Sequence, residues 1–256
     1  MKLATWNVNS VRAREERLLA FLERHRPDVV CLQELKVTDD AFPADAIREV
    51  GYYAAVHGQR TYNGVAILSR EPVEAPRRGL GDLLDDPQAR LLAAQVCGVR
   101  VLSAYFPNGQ IVGSEKYDYK LRWMRALLAY LERYHDPSEP LALCGDFNVA
   151  PDERDIDRPA EWQDSVLCHP DVRAALEALR EWGLEDVFRR HHQQAGLYTW
   201  WDYRMLGFPK NNGLRIDHIF ATPILAARSI GASIDRDERK GSKPSDHAPL
   251  FVEFSD

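Results

Sequence analysis

Four short apolar runs in this chain border on polar residues of similar chemistry. Three of the runs end in Asn, Asp or Glu, and the fourth begins just after an Asp-His pair. Their length favours buried β-strands, because helices need longer periodic segments. The polar residues at these strand ends are Asn7, Glu34, Asp146, Asn148, Asp246 and His247. We therefore expect four distant segments to converge on one acidic centre, since binding sites gather where several elements meet.

Strands dominate the predicted elements. The run Val29-Val30-Cys31-Leu32 is continuously apolar, which is typical of a strand buried on both faces. Loops are predicted at 70–88, 107–114, 150–170 and 202–213. Strands are predicted at 2–8, 28–34, 52–57, 64–69, 91–97, 100–106, 141–144, 199–203, 214–221, 226–234 and 249–254. Many strands with few helices predict an α/β sandwich, in which two packed sheets are flanked by helices.

Three helices are predicted. The first begins after Ser10 as its N-cap and ends at about Arg26, before Pro27. A shorter amphipathic helix is predicted at 172–182. The longest begins near Ser114, and its apolar stripe consists of Tyr117, Leu121, Met124, Leu128 and Leu131.

The overall charge argues weakly against a nucleic-acid-binding protein. The net charge is −6 and the pI is about 5.8, whereas such proteins are often basic. A carboxylate-rich site accounts for part of this charge, and binding a phosphate needs only a local positive face. Arg and Lys do cluster at Arg77-Arg78, Arg189-Arg190 and 236–243.

The cysteines and the N-terminus indicate the cytoplasm. None of the four cysteines forms a C-x-x-C pair, so we expect neither a zinc site nor a disulfide framework. The N-terminal residues lack the apolar core of a signal peptide, and no run reaches the ~20 apolar residues of a membrane span. We expect a soluble, monomeric protein with no membrane partner.

The acidic residues favour a hard cation. The side-chain oxygens of Glu34, Asp146, Asn148 and Asp246 suit Mg²⁺ or Mn²⁺, and Mg²⁺ commonly combines one or two carboxylates with substrate phosphates. Asp217 lies among alternating apolar residues, where a carboxylate would fix the tautomer of a histidine such as His247. Each cluster alone also has an ordinary interpretation, which is turn chemistry for 146–148 and 245–247 and the solvated end of a strand for Gln33-Glu34.

Two aromatic or histidine pairs have alternative interpretations. His191-His192 fits a solvated pair better than a metal-ligand set, because no helical ligand spacing surrounds it. Trp200-Trp201 fits the core or a surface on which a base stacks.

In combination, eight segments resemble the exonuclease III class of apurinic/apyrimidinic endonucleases, in the superfamily that includes deoxyribonuclease I. Together they extend over nearly the whole chain, in order. The segments are TWNVNSVRAR at 5–14, DVVCLQE at 28–34, GVAILS at 64–69, SAYFPNG at 103–109, LCGDFNVAP at 143–151, YTWWDYR at 198–204, LRIDHIFAT at 214–222 and SDHAPLFVEF at 245–254. The resemblance implies a four-layer αββα sandwich of two mixed β-sheets, as one domain over residues 1–256.

The resemblance also implies an activity, a cofactor and a partner. The chain would be a Mg²⁺-dependent phosphodiesterase, with Mn²⁺ able to substitute. It would act on double-stranded DNA, cleaving 5′ to abasic sites and cleaning or degrading 3′ ends. Two alternatives remain, which are a phosphodiesterase of the same fold acting on RNA or small phosphoesters, and a non-catalytic nucleic-acid-binding regulator.

Individual residues would take the following roles by resemblance. The metal would be bound by Glu34 and Asp246, with contributions from Asn7, Asp146, Asn148 and His247. Asp146 would orient or deprotonate the attacking water, and Asn148 would hold that water or stabilise charge on phosphorus. His247, braced by Asp217, would donate to a phosphate oxygen, and Tyr105 would bind the scissile phosphate or assist as a phenolate. The DNA contacts would be Asn108, Arg204 and, as walls of the pocket for a flipped-out sugar, Trp200 and Leu214.

The chain departs from the family pattern at several positions. Asn9 stands where some relatives carry Asp, and Gln110 and Ile111 lie near the place where some relatives insert an Arg into DNA. Phe208 is interpreted as loop packing rather than as a wedge between bases. These loops set the balance between endonuclease and exonuclease work.

Overall fold

The computed structural model describes residues 1–255, and most predicted strands are present. The twelve strands are β1 Lys2–Asn7, β2 Val29–Gln33, β3 Tyr53–His57, β4 Val65–Ser69, β5 Glu74–Arg78, β6 Leu91–Val96, β7 Val99–Tyr105, β8 Leu141–Asp146, β9 Glu185–Asp186, β10 Asp217–Ala221, β11 Ser229–Ile234 and β12 Leu250–Phe254. They form two six-stranded sheets, in the orders β11-β12-β1-β2-β4-β3 and β5-β6-β7-β8-β10-β9. Both sheets are mixed, since β1 pairs with β2 and β7 pairs with β8 in parallel.

Helices cover the outer faces of the two sheets. The α-helices are α1 Glu15–His25, α2 Ala44–Glu49, α3 Glu115–Tyr134, α4 Pro159–Trp162, α5 Pro170–Glu181, α6 Val187–His191, α7 Gly207–Lys210 and α8 Pro223–Ala226. Residues of α1 and α2 pack on the outer face of the first sheet, and residues of α3 and α5 pack on that of the second. The resulting order of layers is the predicted αββα sandwich.

The position of strand β2 between two packed layers explains why its sequence is continuously apolar. Val29 and Cys31 belong to the core between the two sheets, while Val30 and Leu32 belong to the core beneath α1. Successive strand residues point to opposite faces, so a strand with a packed layer on each side needs apolar residues at every position. The prediction of burial on both faces is confirmed.

Several predicted boundaries were wrong. Residues 199–203 form no strand, because Trp200 pairs only through isolated bridges with Leu214 and His247. The predicted strand at 226–234 is divided between the end of α8 and β11, and β5, α4 and α7 lie within predicted loops. These elements are short, and short segments carry little periodic signal.

The predicted helix starts were partly correct. Ser114 is the N-cap of α3 and accepts a hydrogen bond from the Tyr117 amide. Ser10, by contrast, precedes a short 3₁₀ turn, and α1 itself begins only at Glu15. Along α3 the buried stripe includes Lys120, whereas Leu121 and Leu128 are only half-buried.

Among residues 1–255, none of the helices combines the length and the apolar content that crossing a membrane requires.

Gly145 allows the two central strands of the second sheet to lie close together just before Asp146. A Cβ at this position would lie 1.8 Å from the carbonyl oxygen of Ala104, and its φ of +151° is unusual for other residues. The backbone of β8 therefore requires glycine here, because neither strand can move without disturbing the sheet.

We expect Gly145→Ala to lower the free energy of unfolding by at least about 3 kcal/mol, or to prevent folding, because overpacking against backbone cannot be relieved by a rotamer change. Urea unfolding followed by circular dichroism measures this. Gly231→Ala is the matched control, since nothing lies within 4 Å of its added Cβ, and it should change stability by less than about 1 kcal/mol. Equal effects of the two substitutions would contradict the close-approach argument.

Candidate active site

The side chain of Asn7 joins the two sheets at the carboxyl ends of their parallel strands. Its Nδ2 donates to Glu34 Oε1 and to Asp146 Oδ2, each at 2.9 Å. Asn7 is fully buried, and its Oδ1 accepts from the backbone of Asn9. One carboxamide therefore holds two carboxylates from different sheets close together.

Glu34 follows β2 and accepts hydrogen bonds on both oxygens. Tyr105 Oη donates to Oε1 at 2.9 Å, and Lys36 Nζ lies 2.9 Å from Oε2. Burial alone would raise the pKa of Glu34, but the Lys36 ammonium and the Asn7 amide outweigh burial and lower it. Glu34 is thus held as a carboxylate. Lys36 was missed in the sequence, because a lysine three residues after a strand has no distinguishing pattern.

His247 lies between two carboxylates. Its Nδ1 is 2.8 Å from Asp217 Oδ2, and its Nε2 is 3.7 Å from Asp146 Oδ2. Burial disfavours the imidazolium, but Asp217 and Asp146 outweigh burial and raise the pKa of His247 to about 10. The predicted pairing of His247 with Asp217 is present, and it fixes the orientation of the ring.

Asp146 is a buried carboxyl group among other acids. Burial raises its pKa to about 7; Asp217 and Glu34 also raise it, whereas His247 lowers it. Because the two groups interact strongly, the Asp146–His247 pair holds at least one proton near neutral pH. The cluster can therefore exchange a proton in the pH range where general acid–base groups are most effective.

Asn148 is fixed by the residues around it. Its backbone amide donates to Asp146 Oδ1 at 2.9 Å, and its Nδ2 donates to the carbonyl of Phe106 at 3.1 Å. Asn108 Nδ2 in turn donates to Asn148 Oδ1 at 3.0 Å. The loops after β7 and β8 are thereby joined, and both amide side chains line the same cleft.

Asp246 and His247 have separate partners, as their neighbouring positions predict. Asn9 Nδ2 donates to Asp246 Oδ1 at 2.9 Å, and Trp200 Nε1 donates to Asp246 Oδ2 at 3.0 Å. Burial opposes ionisation of Asp246, but His247 and these hydrogen bonds outweigh it and lower the pKa. Asn9, one of the departures from the family pattern, therefore stabilises the Asp246 carboxylate without adding a further negative charge to the cluster.

One compact group at this edge could hold a metal ion. Ligand atoms of Glu34, Asp146 and His247 all lie within 4.8 Å of one another. Asp246 lines the same cleft but is not part of that group within residues 1–255. A second group, His25, Asp235 and Glu238, lies elsewhere, and there Glu238 is already paired with Arg17 and Arg24.

The candidate residues lie in a cleft of about 700 Å³. One wall is apolar and includes Trp200 together with Trp162, whose rings are perpendicular with centroids 6.0 Å apart. Arg204 lies at the rim, with a side chain that is 84% exposed and paired with Asp202. Trp162 was missed because it lies in a segment without periodic signal.

Leu214 does not line this cleft. Its backbone pairs with Trp200 in both directions, and its side chain is buried in the core beneath α3. It supports Trp200 from behind and forms no wall itself. Phe208 packs edge-on against Trp201, with centroids 5.2 Å apart, which confirms its interpretation as loop packing.

Lys120 is a further residue that the sequence did not reveal. Its buried ammonium donates to the backbone carbonyls of Asn108, Asn148 and Val166, at 3.2, 2.6 and 2.7 Å. Burial lowers its pKa to about 7, although Asp146 acts in the opposite direction. All three segments contribute to the cleft, so this one side chain joins the loops that shape it.

A buried ion-pair network supports the loop after β8 from behind. Arg215 Nε donates to Asp155 Oδ1 at 2.6 Å, and its Nη2 donates to Asp186 Oδ2 at 2.7 Å. His218 accepts from Arg215 through Nδ1 at 2.9 Å, and its Nε2 is 2.9 Å from the carbonyl of Val149. This arrangement requires a neutral ring, because Nδ1 must accept. Burial and the Arg215 charge lower the pKa of His218 to about 4.

Comparisons with known proteins cover almost the entire chain. Residues 4–247 match the sequence model described as the Endonuclease/Exonuclease/phosphatase family. Exodeoxyribonuclease III of Haemophilus influenzae is 38% identical over 266 residues, covering 99% of this chain and all of that protein. An AP endonuclease structure from Archaeoglobus fulgidus has a TM-score of 0.95 and 38% identity, and covers 99% of both chains. A 3′ phosphatase structure from Neisseria, bound to a product DNA hairpin, has a TM-score of 0.96 and 41% identity, covering 100% of this chain and 99% of that one.

Stability should fall in mild acid because of His218. The unfolded chain takes up this proton near pH 6.5 and the folded protein only near pH 4, so stability is lost as pH falls between those values, by up to about 3 kcal/mol. His218→Gln keeps an acceptor for Arg215 and a donor for Val149 but cannot titrate. Urea unfolding at about pH 7 and about pH 5 should therefore show a smaller acid loss in this variant. His192→Gln should keep the full loss, and an unchanged loss in His218→Gln would contradict the assignment.

Proposed function

Because the chain belongs to the Endonuclease/Exonuclease/phosphatase family and is a DNA-repair nuclease of the exodeoxyribonuclease III and AP endonuclease type, we propose that it hydrolyses the DNA backbone on the 5′ side of abasic sites. We propose in addition that it removes nucleotides or blocking groups from 3′ ends. The relatives support both activities, since one is an AP endonuclease and another a 3′ phosphatase bound to product DNA.

The observation that carries the proposal is the arrangement around Asn7. Its carboxamide holds Glu34 and Asp146 together, and Asp146 faces the His247–Asp217 pair. Carboxylates, a protonated imidazole and an amide at the floor of one cleft are the groups that in-line attack of water on phosphorus requires. A non-catalytic binding protein would have no need to bury this many interacting acids.

The residues present fit a divalent cation such as Mg²⁺, with Mn²⁺ as a substitute. Glu34 and Asp146 supply hard oxygen ligands close together, and their mutual repulsion contributes to the raised pKa of Asp146. Glu34 would hold the ion as the principal ligand, with Asp146, Asn7, Asn148 and Asp246 around it, whereas the protonated His247 would face the phosphate and would not ligate the ion. The bound ion would neutralise charge on the phosphate and on the leaving oxygen.

The proton transfer is assigned to Asp146. Its pKa, raised to about 7, suits a group that accepts a proton from water near neutral pH. Burial, together with Glu34 and Asp146, raises the pKa of Tyr105 well above its ordinary value, so Tyr105 stays a neutral hydroxyl. When substrate binds, this hydroxyl turns from Glu34 and donates to a phosphate oxygen instead. The phenolate alternative is thereby disfavoured.

The remaining residues position and stabilise the phosphate. His247, charged and oriented by Asp217, donates to a phosphate oxygen, and Asn148 donates to the water or to the same phosphate. Asn108, hydrogen-bonded to Asn148, contacts the DNA backbone, and Arg204, which is exposed at the rim beside its partner Asp202, donates to a backbone phosphate. These donors are fixed before substrate binds, which lowers the cost of reorganisation in the transition state.

The apolar wall explains selectivity for a damaged site. Trp200 and Trp162 form a corner of the cleft that suits a sugar without a base. An abasic nucleotide has no pairing and little stacking to lose, so turning it out of the duplex costs less than turning out a normal one. Selectivity then needs no reading of the base sequence.

A chelator should abolish nicking of a duplex that contains one abasic site, and added Mg²⁺ should restore it, because the clustered carboxylates repel the phosphate without a cation. A gel assay on abasic, undamaged and RNA duplexes measures both activity and substrate preference. Nicking that persists in excess chelator would contradict the metal requirement. Equal cleavage of all three duplexes would contradict the preference for abasic DNA.

Asp146→Asn should lower kcat for abasic-site nicking by about 10² to 10⁴, the usual contribution of a general base. The amide keeps the shape of the carboxyl group but cannot accept the proton. The control is Asp136→Asn, which removes one charge from an exposed side chain that hydrogen-bonds only within its own turn, and it should keep the wild-type rate. Wild-type kcat in a folded Asp146→Asn protein would remove Asp146 from the mechanism.

A further inference from the structure

The ammonium of Lys120 binds three separate segments of the chain at one point behind the cleft. Its acceptors are the backbone carbonyl oxygens of Asn108, Asn148 and Val166. The side chain is fully buried, and these three partners are all neutral, whereas a buried lysine usually has a charged partner. An ammonium group has three N–H donors and no acceptor, so three carbonyls around one nitrogen use every donor it has.

Two of the three segments carry amide side chains of the candidate site. Asn108 follows β7 and Asn148 follows β8, and these two strands are parallel neighbours. The two side chains bind each other and line the cleft, while Lys120 binds the backbone of both residues. The pair is therefore held twice, once through its side chains and once through its backbone.

The backbone of Asn148 needs this support. Its φ is +51°, in the left-handed region that residues other than glycine rarely adopt. The amide before its side chain donates to Asp146 Oδ1, and the carbonyl after it accepts from Lys120. The peptide units on both sides of Asn148 are thus fixed, and together they set the direction of its carboxamide.

The loop after β7 also packs directly on the aliphatic part of Lys120. A Cβ added at Gly109 would lie 3.1 Å from Lys120 Cδ and 3.4 Å from Val166 Cβ, and the φ of Gly109 is +94°. The same segments that accept hydrogen bonds from the ammonium therefore surround the stem. The separation between the loops depends on the length and shape of this one side chain.

We propose that Lys120 is a positioning residue of the nuclease, which holds Asn108 and Asn148 where their carboxamides meet the phosphate. The inference rests on the proposed function, because it concerns the same cleft. Lys120 lies behind the loops and does not line the cleft, so it acts through the two asparagines. A misplacement of about 1 Å in a group that acts on the substrate can lower the rate about 10²-fold.

The first test is Lys120→Gln, which removes the charge and leaves two N–H donors on a shorter side chain. We expect kcat for abasic-site nicking to fall about 10²-fold. The Kd for uncut duplex without metal, measured by fluorescence anisotropy, should change less than about threefold, because no group that contacts DNA is removed. In a protein that carries both Asn108→Ala and Asn148→Ala, the same substitution should lower kcat less than about threefold further, since the side chains it positions are already absent.

Lys120→Arg separates the position of the donors from the charge. It keeps a cation with several N–H donors, so we expect it to fold. Its planar guanidinium cannot direct three donors from one point, and its longer stem presses on the loop at Gly109. We therefore expect kcat to fall by about threefold to tenfold, which is less than in Lys120→Gln but clearly below the wild type.

A spectroscopic measurement tests the positions without any reaction. The side-chain amide signals of Asn108 and Asn148 in a ¹H–¹⁵N correlation spectrum are assigned by their loss in the two alanine variants. Both signals should shift in Lys120→Gln and in Lys120→Arg. The spectrum needs neither metal nor DNA, so failure of this inference is distinguishable from failure of the proposed function.

Arg17→Gln is the matched control. Arg17 also holds a loop through three backbone carbonyls, those of Glu238, Lys240 and Ser242, at 2.6 to 3.1 Å, and none of these residues lines the cleft. The substitution should lower stability as Lys120→Gln does. It should keep kcat within about twofold of the wild type and leave both asparagine signals unshifted, because it disturbs a different loop.

Wild-type kcat in folded Lys120→Gln or Lys120→Arg would overturn the proposal. Losses of kcat that add fully to those of the two alanine substitutions would also overturn it. A loss of kcat with unshifted asparagine signals would mean that Lys120 acts as a charge near Asp146 and not through the asparagines. If Lys120→Gln does not fold, Lys120→Arg decides by the same criteria.

Discussion

The carboxamide of Asn7 is the contact on which the rest of the site depends. It donates to one carboxylate from each sheet, and its own position is fixed because β1 lies at the centre of the first sheet, between β2 and β12. Two carboxylates brought this close repel each other, so the packing of the two sheets has to hold them there. The core between the sheets, which includes Cys31, Cys144 and Val252, supplies that stabilisation. The placement of the acidic residues therefore depends on the apolar core between the two sheets.

The electrostatics follow from this placement. Glu34 is kept ionised by Lys36, Asp246 by His247 and two neutral donors, and only Asp146 has a clearly raised pKa. Acids of similar chemistry thus titrate differently because each has a different set of neighbours. Separating pKa values in this way is how one site provides both fixed charges and a group that exchanges protons. The neutral Asn9 contributes to it, since a further carboxylate there would have raised the repulsion.

The sequence alone predicted those features that depend on periodicity and on strand ends. Val29 to Leu32 had to be buried on both faces, and the residues that follow parallel strands had to meet at one edge, which places Asn7, Glu34 and Asp146 together. Features that depend on tertiary contacts were not predictable. Lys120 lies on the buried face of α3, but a lysine in a sequence suggests exposure to solvent. Its burial becomes understandable only from its three backbone carbonyl partners. Leu214 was assigned to the pocket wall although backbone pairing with Trp200 turns it into the core, and Trp162 reaches the cleft from a segment with no periodic signal.

The position of β12 and of the residues just before it has a consequence for the order in which the structure assembles. Ser245 donates to the backbone of Asn7 at 2.7 Å, and the indole of Trp6 donates to the backbone of His247 at 3.2 Å. Residues near the beginning of the chain therefore pair with residues that are translated more than 200 positions later. Such pairings between distant segments form slowly, because the loop between them must close first. A chain that has not yet reached residues 245–254 lacks these contacts, so the hydrogen bonds that join Trp6 and Asn7 to this segment form only after it has been synthesised.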